Sequence, residues 1–185
     1  MSENQEQRYI GRGGQKLKYA IEKLALHLMG KTAADFGCNI GGFTDCLLQE
    51  GVRRVYAVDT GYGALEWRLR NDERVVVMER TNAMHVELPE PMDVVTIDVA
   101  WTRQRNILPN ALKQLGPEGV ILSLFKPQYE AGPGLVRQGL VAQSDFDAVV
   151  RSTLAELEDM GIRIREVLML PHEKESKNPE AFLYI

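Results

Sequence analysis

The sequence predicts an α/β domain: a mainly parallel seven-stranded sheet with an antiparallel last strand and helices on both faces. Short apolar runs alternate with stretches of helical period, a glycine-containing turn follows the first run, and the chain closes on two β-like segments with no helix between them. Such alternation implies parallel strands joined by right-handed crossovers. The two closing strands must pair antiparallel, because a parallel return needs a longer crossover.

The elements follow in chain order. Leu17, Ala20, Ile21, Leu24, Ala25 and Leu28 recur at helical spacing and predict an amphipathic helix from Gly13 to Met29. A strand is expected over Thr32–Gly37, a helix over Gly42–Glu50, a strand over Arg54–Asp59 and a helix over Gly63–Arg70. Strands over Val75–Glu79 and Met92–Val99 come next, then a helix over Gln104–Leu115 and a strand over Val120–Lys126. A helix over Ser144–Met160 precedes the closing segments, Ile162–Leu170 and Ala181–Ile185. Five βα-type strands with a hairpin-like ending make the sheet pattern of Rossmann-like class I methyltransferases.

The 185 residues fit one domain over 1–185, with 1–8 expected to be flexible. A chain of this length buries roughly 70% of its unfolded surface and needs no staple. Its cysteines, Cys38 and Cys46, form no CxxC pair, and three histidines are too few for a convincing zinc site, so no metal is expected. A reducing, cytoplasmic setting is the expectation. No apolar run is long enough to span a bilayer, and MSENQEQRYI has no signal-peptide core, so no membrane role is expected. The net charge of −4 argues against a protein that merely coats nucleic acid. Residues 1–31 nevertheless carry six Lys/Arg against three Glu, a basic patch able to grip phosphates or simply a solvated helix face.

Ligands of such sheets bind beyond the carboxyl ends of the strands. There the chain reads Asp35-Phe36-Gly37-Cys38-Asn39-Ile40-Gly41-Gly42-Phe43-Thr44, and the second strand ends at Asp59, whose carboxylate can hold the two ribose hydroxyls of an adenosine. The spacing is not the GxGxxG of a pyrophosphate loop. Asp35 would repel phosphates but could orient an ammonium or a bridging water. The combination suits S-adenosylmethionine, an adenosine ligand with an amino-acid end and no phosphate. Asp35, Gly37, Asn39, Gly41, Gly42, Phe43 and Asp59 are the candidate cofactor residues, with Asn82 at the adenine edge or as a plain turn residue. Trp67, beside Leu65 and Leu69, reads as helix packing.

The segments Arg12-Gly13-Gly14-Gln15-Lys16-Leu17, Gly41-Gly42-Phe43-Thr44-Asp45-Cys46-Leu47-Leu48, Tyr56-Ala57-Val58-Asp59-Thr60-Gly61-Tyr62-Gly63 and Phe125-Lys126-Pro127-Gln128-Tyr129-Glu130 closely resemble the FtsJ-like RNA methyltransferases. Within them the resemblance is to the TlyA (hemolysin A-like) branch of ribosomal RNA ribose 2′-O-methyltransferases, from about Tyr9 onward. The resemblance implies S-adenosylmethionine as cofactor, ribosomal RNA as partner, and a Lys-Asp-Lys-Glu tetrad. Its members fall on Lys16, Asp98, Lys126 and Glu180, with Asp98 also bordering the cofactor. It implies Lys126 as the group that activates the hydroxyl, Asp98 and Glu180 as its holders, and Lys16 as charge balance or phosphate contact. Two carboxylates favour a charged lysine whereas a base must be neutral, so Lys16 and partial desolvation have to push the other way.

The chain departs from that pattern in three places. Only about eight residues precede the first motif, where TlyA-type proteins begin with an S4-type RNA-binding domain. Cys38 and Asn39 stand where relatives tend to have small hydroxyl residues. After Asp98 the chain reads Val99-Ala100-Trp101-Thr102-Arg103-Gln104-Arg105, so Trp101 with Arg103 and Arg105 either stacks on and steers a nucleotide or packs at a solvated helix start. Gln128, Tyr129 and the Ala131–Leu135 loop are candidates to cover the substrate. A small-molecule or protein methyltransferase, or a non-catalytic cofactor- or RNA-binding scaffold, stays open, as does a partner subunit or homodimer.

Overall fold

The computed structural model describes residues 9–132, 134–171 and 178–185. The expectation for residues 1–8 and the Pro133 position of the glycine-containing loop lie outside that set. The elements run α1 (Gly13–Lys23), β1 (Thr32–Phe36), α2 (Gly42–Gln49), β2 (Arg54–Val58), α3 (Trp67–Arg70), β3 (Val75–Met78), β4 (Met92–Ile97) and α4 (Gln104–Lys113). They continue with β5 (Leu115–Phe125), α5 (Pro127–Glu130), β6 (Val136–Arg137), β7 (Leu140–Val141), α6 (Gln143–Asp159), β8 (Glu166–Met169) and β9 (Ala181–Tyr184). Seven strands form one sheet in the order β3-β2-β1-β4-β5-β9-β8. All pairs are parallel except those of β9, which runs antiparallel to both β5 and β8. The strand order reverses between β1 and β4, which opens a crevice at their carboxyl ends.

Alternate strand residues face opposite sides of a sheet, and the core divides accordingly. Ala33, Val55, Ala57, Val94, Leu122 and Phe182 pack against Leu17 of α1 and Phe43, Cys46 and Leu47 of α2. Ala34, Phe36, Tyr56, Val95, Ile97 and Phe125 pack on the other side against Ile107 and Leu108 of α4 and Phe146 and Leu157 of α6. The buried strand positions on both faces are why the strands read as continuous apolar runs rather than alternating ones.

Four expectations are corrected. The first helix stops at Lys23, although apolar spacing runs on to Leu28, because Ala25 turns to φ +50° and the N–H of Leu26 bonds the carbonyl of Ile21. The Gly63–Arg70 stretch is helical only from Trp67. Before it, the N–H of Gly63 bonds Glu79 and the N–H of Glu66 bonds the carbonyl of Ile40, contacts no local period encodes. Trp67 is 72% exposed while Leu65 and Leu69 are buried, so the tryptophan is not the packing residue of that segment. The strand expected from Val120 begins at Leu115. A register shift between Met92 and Val94 absorbs the turn-like Gly116-Pro117-Glu118-Gly119. In addition, Val136–Arg137 and Leu140–Val141 form a small antiparallel ribbon after α5, which no apolar run announces.

Candidate active site

The crevice is built from the ends of β1, β2 and β4. Gly37 stands at φ +83°, and a Cβ there would lie 2.5 Å from the carbonyl oxygen of Asp98, so only glycine lets the β1 turn pass so close to the end of β4. Asn39, at φ +47°, donates its N–H to Asp59 Oδ2 at 2.9 Å, and Gly61 donates to Oδ1 at 2.7 Å. The loop after β1 therefore fixes the carboxylate at the end of β2. A carboxylate has about four acceptor sites, so Asp59 keeps capacity for two more donors. Asn82 caps its own turn by accepting the N–H of Met84 at 2.9 Å.

Gly37, Asn39, Asp59, Thr60, Thr81, Asn82 and Asp98 line one cavity of about 330 Å3. An adjoining cavity of about 300 Å3 is lined by Gly11, Gly13, Lys16, Gly37, Asn39, Gly42, Phe43, Asp98 and Lys126. They share Gly37, Asn39, Asp98 and Ala100 as a common wall and lie side by side along the crevice. Gly41 is the left-handed residue that starts α2, and Phe43 packs on Phe182 at 5.8 Å between ring centres. Thr81 belongs to the Thr81-Asn82-Ala83 turn expected at the adenine edge, whereas Thr60 is not among the expected site residues, although its place beside Asp59 at a strand end is the signal that finds it.

Asp35 is the exception among the expected cofactor residues. It is fully buried and lines neither cavity. Its Oδ2 accepts the Thr44 hydroxyl at 2.7 Å and its Oδ1 the Thr96 hydroxyl at 3.1 Å. Burial raises its pKa to about 7 despite those two hydroxyls, and the charge of Asp98 pushes the same way. The aspartate ties β1 to α2 and β4 beneath the site instead of reaching into it. Burial likewise raises the Cys38 thiol, with the charges of Asp35 and Asp59 adding to the effect, so this cysteine is a packing group rather than a reactive one.

The four tetrad positions arrive from four elements and meet as two ion pairs. Lys126, just after β5, hydrogen-bonds Asp98, just after β4. Glu180, which immediately precedes β9 and was expected to hold Lys126, instead accepts from Lys16 of α1 at 2.5 Å, so Asp98 alone of the two carboxylates is bonded to Lys126. Close packing brings α1 there: a Cβ on Gly14 would lie 2.9 Å from the Gly42 carbonyl oxygen, and one on Gly42 would lie 2.8 Å from that of Ile10. All four side chains are half-buried or less exposed, at 14–29% of their free area, so the pairs are partly shielded from solvent screening.

Trp101 stands at φ +58° and is 88% exposed, its ring 5.3 Å from that of Tyr129, and the Lys126 ammonium lies 5.9 Å from the Tyr129 ring centre. An aromatic surface thus borders the Asp98–Lys126 pair. The arginines do not accompany it, since Arg103 and Arg105 both pair with Glu156, at 2.8 and 2.5 Å. One residue without a sequence signal of its role is Glu130, which is buried and accepts the N–H of Gln104 at 2.7 Å. It joins the segment after Lys126 to the start of α4, and only the tertiary fold brings the two together.

Among the described residues, no cluster of three or more His, Cys, Asp or Glu is arranged to hold a metal ion. Likewise, no helix among them is long and apolar enough to cross a membrane.

Sheet order, glycine turn and the carboxylate at the end of β2 define a Rossmann-like methyltransferase domain. Comparison narrows the class. The model of the FtsJ-like methyltransferase family matches residues 9–184, and the chain belongs to that family. It is 45% identical over 148 residues to YqxC of Bacillus subtilis (strain 168), covering 77% of this chain and 53% of YqxC. It is 37% identical over 187 residues to the 16S/23S rRNA (cytidine-2'-O)-methyltransferase TlyA of Mycobacterium tuberculosis, covering 97% of this chain and 69% of TlyA. A solved hemolysin-type protein of Streptococcus thermophilus superposes with a TM-score of 0.90 at 33% identity, over 98% of this chain and 68% of that one. The chain therefore spans about half to two-thirds of the length of these relatives.

Proposed function

We propose that this chain is an S-adenosylmethionine-dependent RNA methyltransferase that modifies a ribose 2′-hydroxyl of ribosomal RNA. The convergence of Asp98–Lys126 and Lys16–Glu180 at the wall of a crevice that ends on Asp59 carries the reading. The named activity of the 37% identical relative supports the same substrate.

The crevice fits the cofactor. Asp59 retains acceptor capacity for two ribose hydroxyls, Asn82 stands at the adenine end, and the turn at Gly37–Gly42 with Phe43 accommodates the methionine end. Bound S-adenosylmethionine supplies an electrophilic methyl on a sulfonium. The chain's own task is to position and deprotonate a poor nucleophile. Once Lys126 has released its own proton to solvent, the neutral Nζ receives the hydroxyl proton as the oxygen–methyl bond forms and the carbon–sulfur bond of the cofactor breaks. Asp98 accepts one of its N–H bonds, which aims the nitrogen lone pair and stabilises the ammonium once formed. The Lys16–Glu180 pair holds the second ammonium and carboxylate in place beside the reacting group. Trp101, on Tyr129, offers a flat surface for the base of the target nucleotide.

The test is transfer of labelled methyl from S-adenosylmethionine to unmodified 16S and 23S rRNA transcripts, followed by alkaline hydrolysis. Label retained in alkali-resistant dinucleotides is expected, because a 2′-O-methyl group blocks strand cleavage at its own position. No transfer, or label recovered only in bases or mononucleotides, would refute the proposal.

A further inference from the structure

A cavity of about 390 Å3 lies between α1, the start of α6 and the ends of β8 and β9. Its size is inside the roughly 300–1,000 Å3 range of small-ligand pockets. Neither Asp59 nor Asn82 lines it, so it is not the cofactor crevice. It nevertheless shares Lys16 with the reaction side of that crevice, and Glu180, bonded to Lys16, faces it as well. The ion pair is the partition between the two spaces.

The chemistry of the walls is mixed in a particular way. Tyr19 and Pro179 give flat apolar surfaces, and Gln15 and Gln143 bring carboxamides. Among the described residues, neither amide is engaged by another side chain. An amide left free beside a ring can read the edge of a stacked base. Lys23, one turn beyond Tyr19, is exposed and has no carboxylate partner among the described residues; its ammonium lies 5.6 Å from the Tyr19 ring centre. A base against Tyr19 would thus have a cation at hand for its phosphate.

We infer that this cavity is a subsite for the nucleobase next to the methylated nucleotide. The inference rests on the ribose methylation proposed above, because it places the target ribose on the other side of Lys16–Glu180. It also defines the substrate more closely. A flanking base can enter only if it is unstacked, so the RNA is bound as a single-stranded loop or bulge rather than as a helix.

Cytidine monophosphate and the dinucleotide CpC, titrated calorimetrically into protein saturated with S-adenosylhomocysteine, test this. CpC should bind about tenfold more tightly than the mononucleotide, the worth of one stacked base. Tyr19→Ala should remove that advantage while leaving the affinities for cytidine monophosphate and S-adenosylhomocysteine unchanged. Gln143→Ala, at an exposed helix start, should reduce it severalfold and serves if Tyr19→Ala does not fold. An equal affinity of both probes, or an advantage that survives both substitutions, overturns the subsite, as would a cavity that binds a protein or other ligand and ignores CpC. If the wild-type protein methylates rRNA while CpC shows no advantage, the subsite alone fails. If it neither methylates rRNA nor binds either probe, both proposals fail.

Discussion

The two halves of the crevice are built on different principles. The half around Asp59 is made largely by short-range contacts: Gly61 to Asp59 and Met84 to Asn82 each span two residues, and Asn39 to Asp59 spans twenty. The half proposed for the reaction is made by side chains brought from far apart: Asp98 to Lys126 spans 28 residues and Lys16 to Glu180 spans 164. The first is a preformed backbone cradle. The second exists only once the sheet is closed, because β9 must insert beside β5 before Glu180 can meet α1.

If the halves are separable, substitutions should divide cleanly between binding and turnover. The largest effect is expected at Lys126→Ala. Losing the proton acceptor should lower methyl transfer to rRNA by about 10²–10⁴-fold, measured as initial rates at saturating cofactor. A loss of less than about tenfold would move the base role elsewhere. Gly37→Ala sharpens the comparison by striking the seam between the halves. The new Cβ would press the Asp98 carbonyl at 2.5 Å with φ at +83°, so chemical denaturation should show about 2–4 kcal/mol of lost stability. Transfer and cofactor binding should fall together in that variant.

Asp35 marks the same seam from below and gives a pH signature. Its folded pKa of about 7 lies above the roughly 3.9 of an unfolded aspartate. The folded protein therefore binds the extra proton between those values, and this group's contribution to stability declines as pH rises from about 4 to about 7. Asp35→Asn cannot ionise, so the difference in unfolding free energy, wild type minus variant, should decline across that window and level off above it. A difference that stays flat across the window would place the titration elsewhere. The smallest effect is expected at Trp101→Ala. Because the ring is 88% exposed, stability should change by no more than about 0.5 kcal/mol. The KM for rRNA should nonetheless rise roughly 5–50-fold through the lost stacking surface, with the affinity for S-adenosylhomocysteine untouched.

The same contrast explains what could be read from the sequence. The alternation of strands and helices, the antiparallel ending and the Asp59 end of the crevice are legible because apolar runs, glycine turns and strand-end carboxylates are local signals. The tetrad was legible only through resemblance to a family, since nothing in spacing joins Lys16 to Glu180. Asp35 shows the limit of the local signal. A carboxylate at the end of β1 has the right position for a ligand, yet whether it faces the crevice or the core depends on Thr44 and Thr96, which only packing brings to it. The two readings of the arginines after Trp101 stay open in the sequence for a similar reason, because their partner Glu156 lies some fifty residues further on in α6. Trp67 was misjudged in the opposite sense: helical spacing with Leu65 and Leu69 does not tell which of the three faces water.

The separation of the two halves is tested most directly by calorimetric titration of S-adenosylhomocysteine into the wild-type protein, Asp59→Ala and Lys126→Ala. Losing charged hydrogen bonds worth about 1.5–3 kcal/mol should weaken binding to Asp59→Ala by roughly 10–150-fold, while Lys126→Ala should bind within about twofold of wild type. Equal binding by all three proteins, or a loss in Lys126→Ala as large as that in Asp59→Ala, would contradict the division of the crevice into a cofactor half and a reaction half.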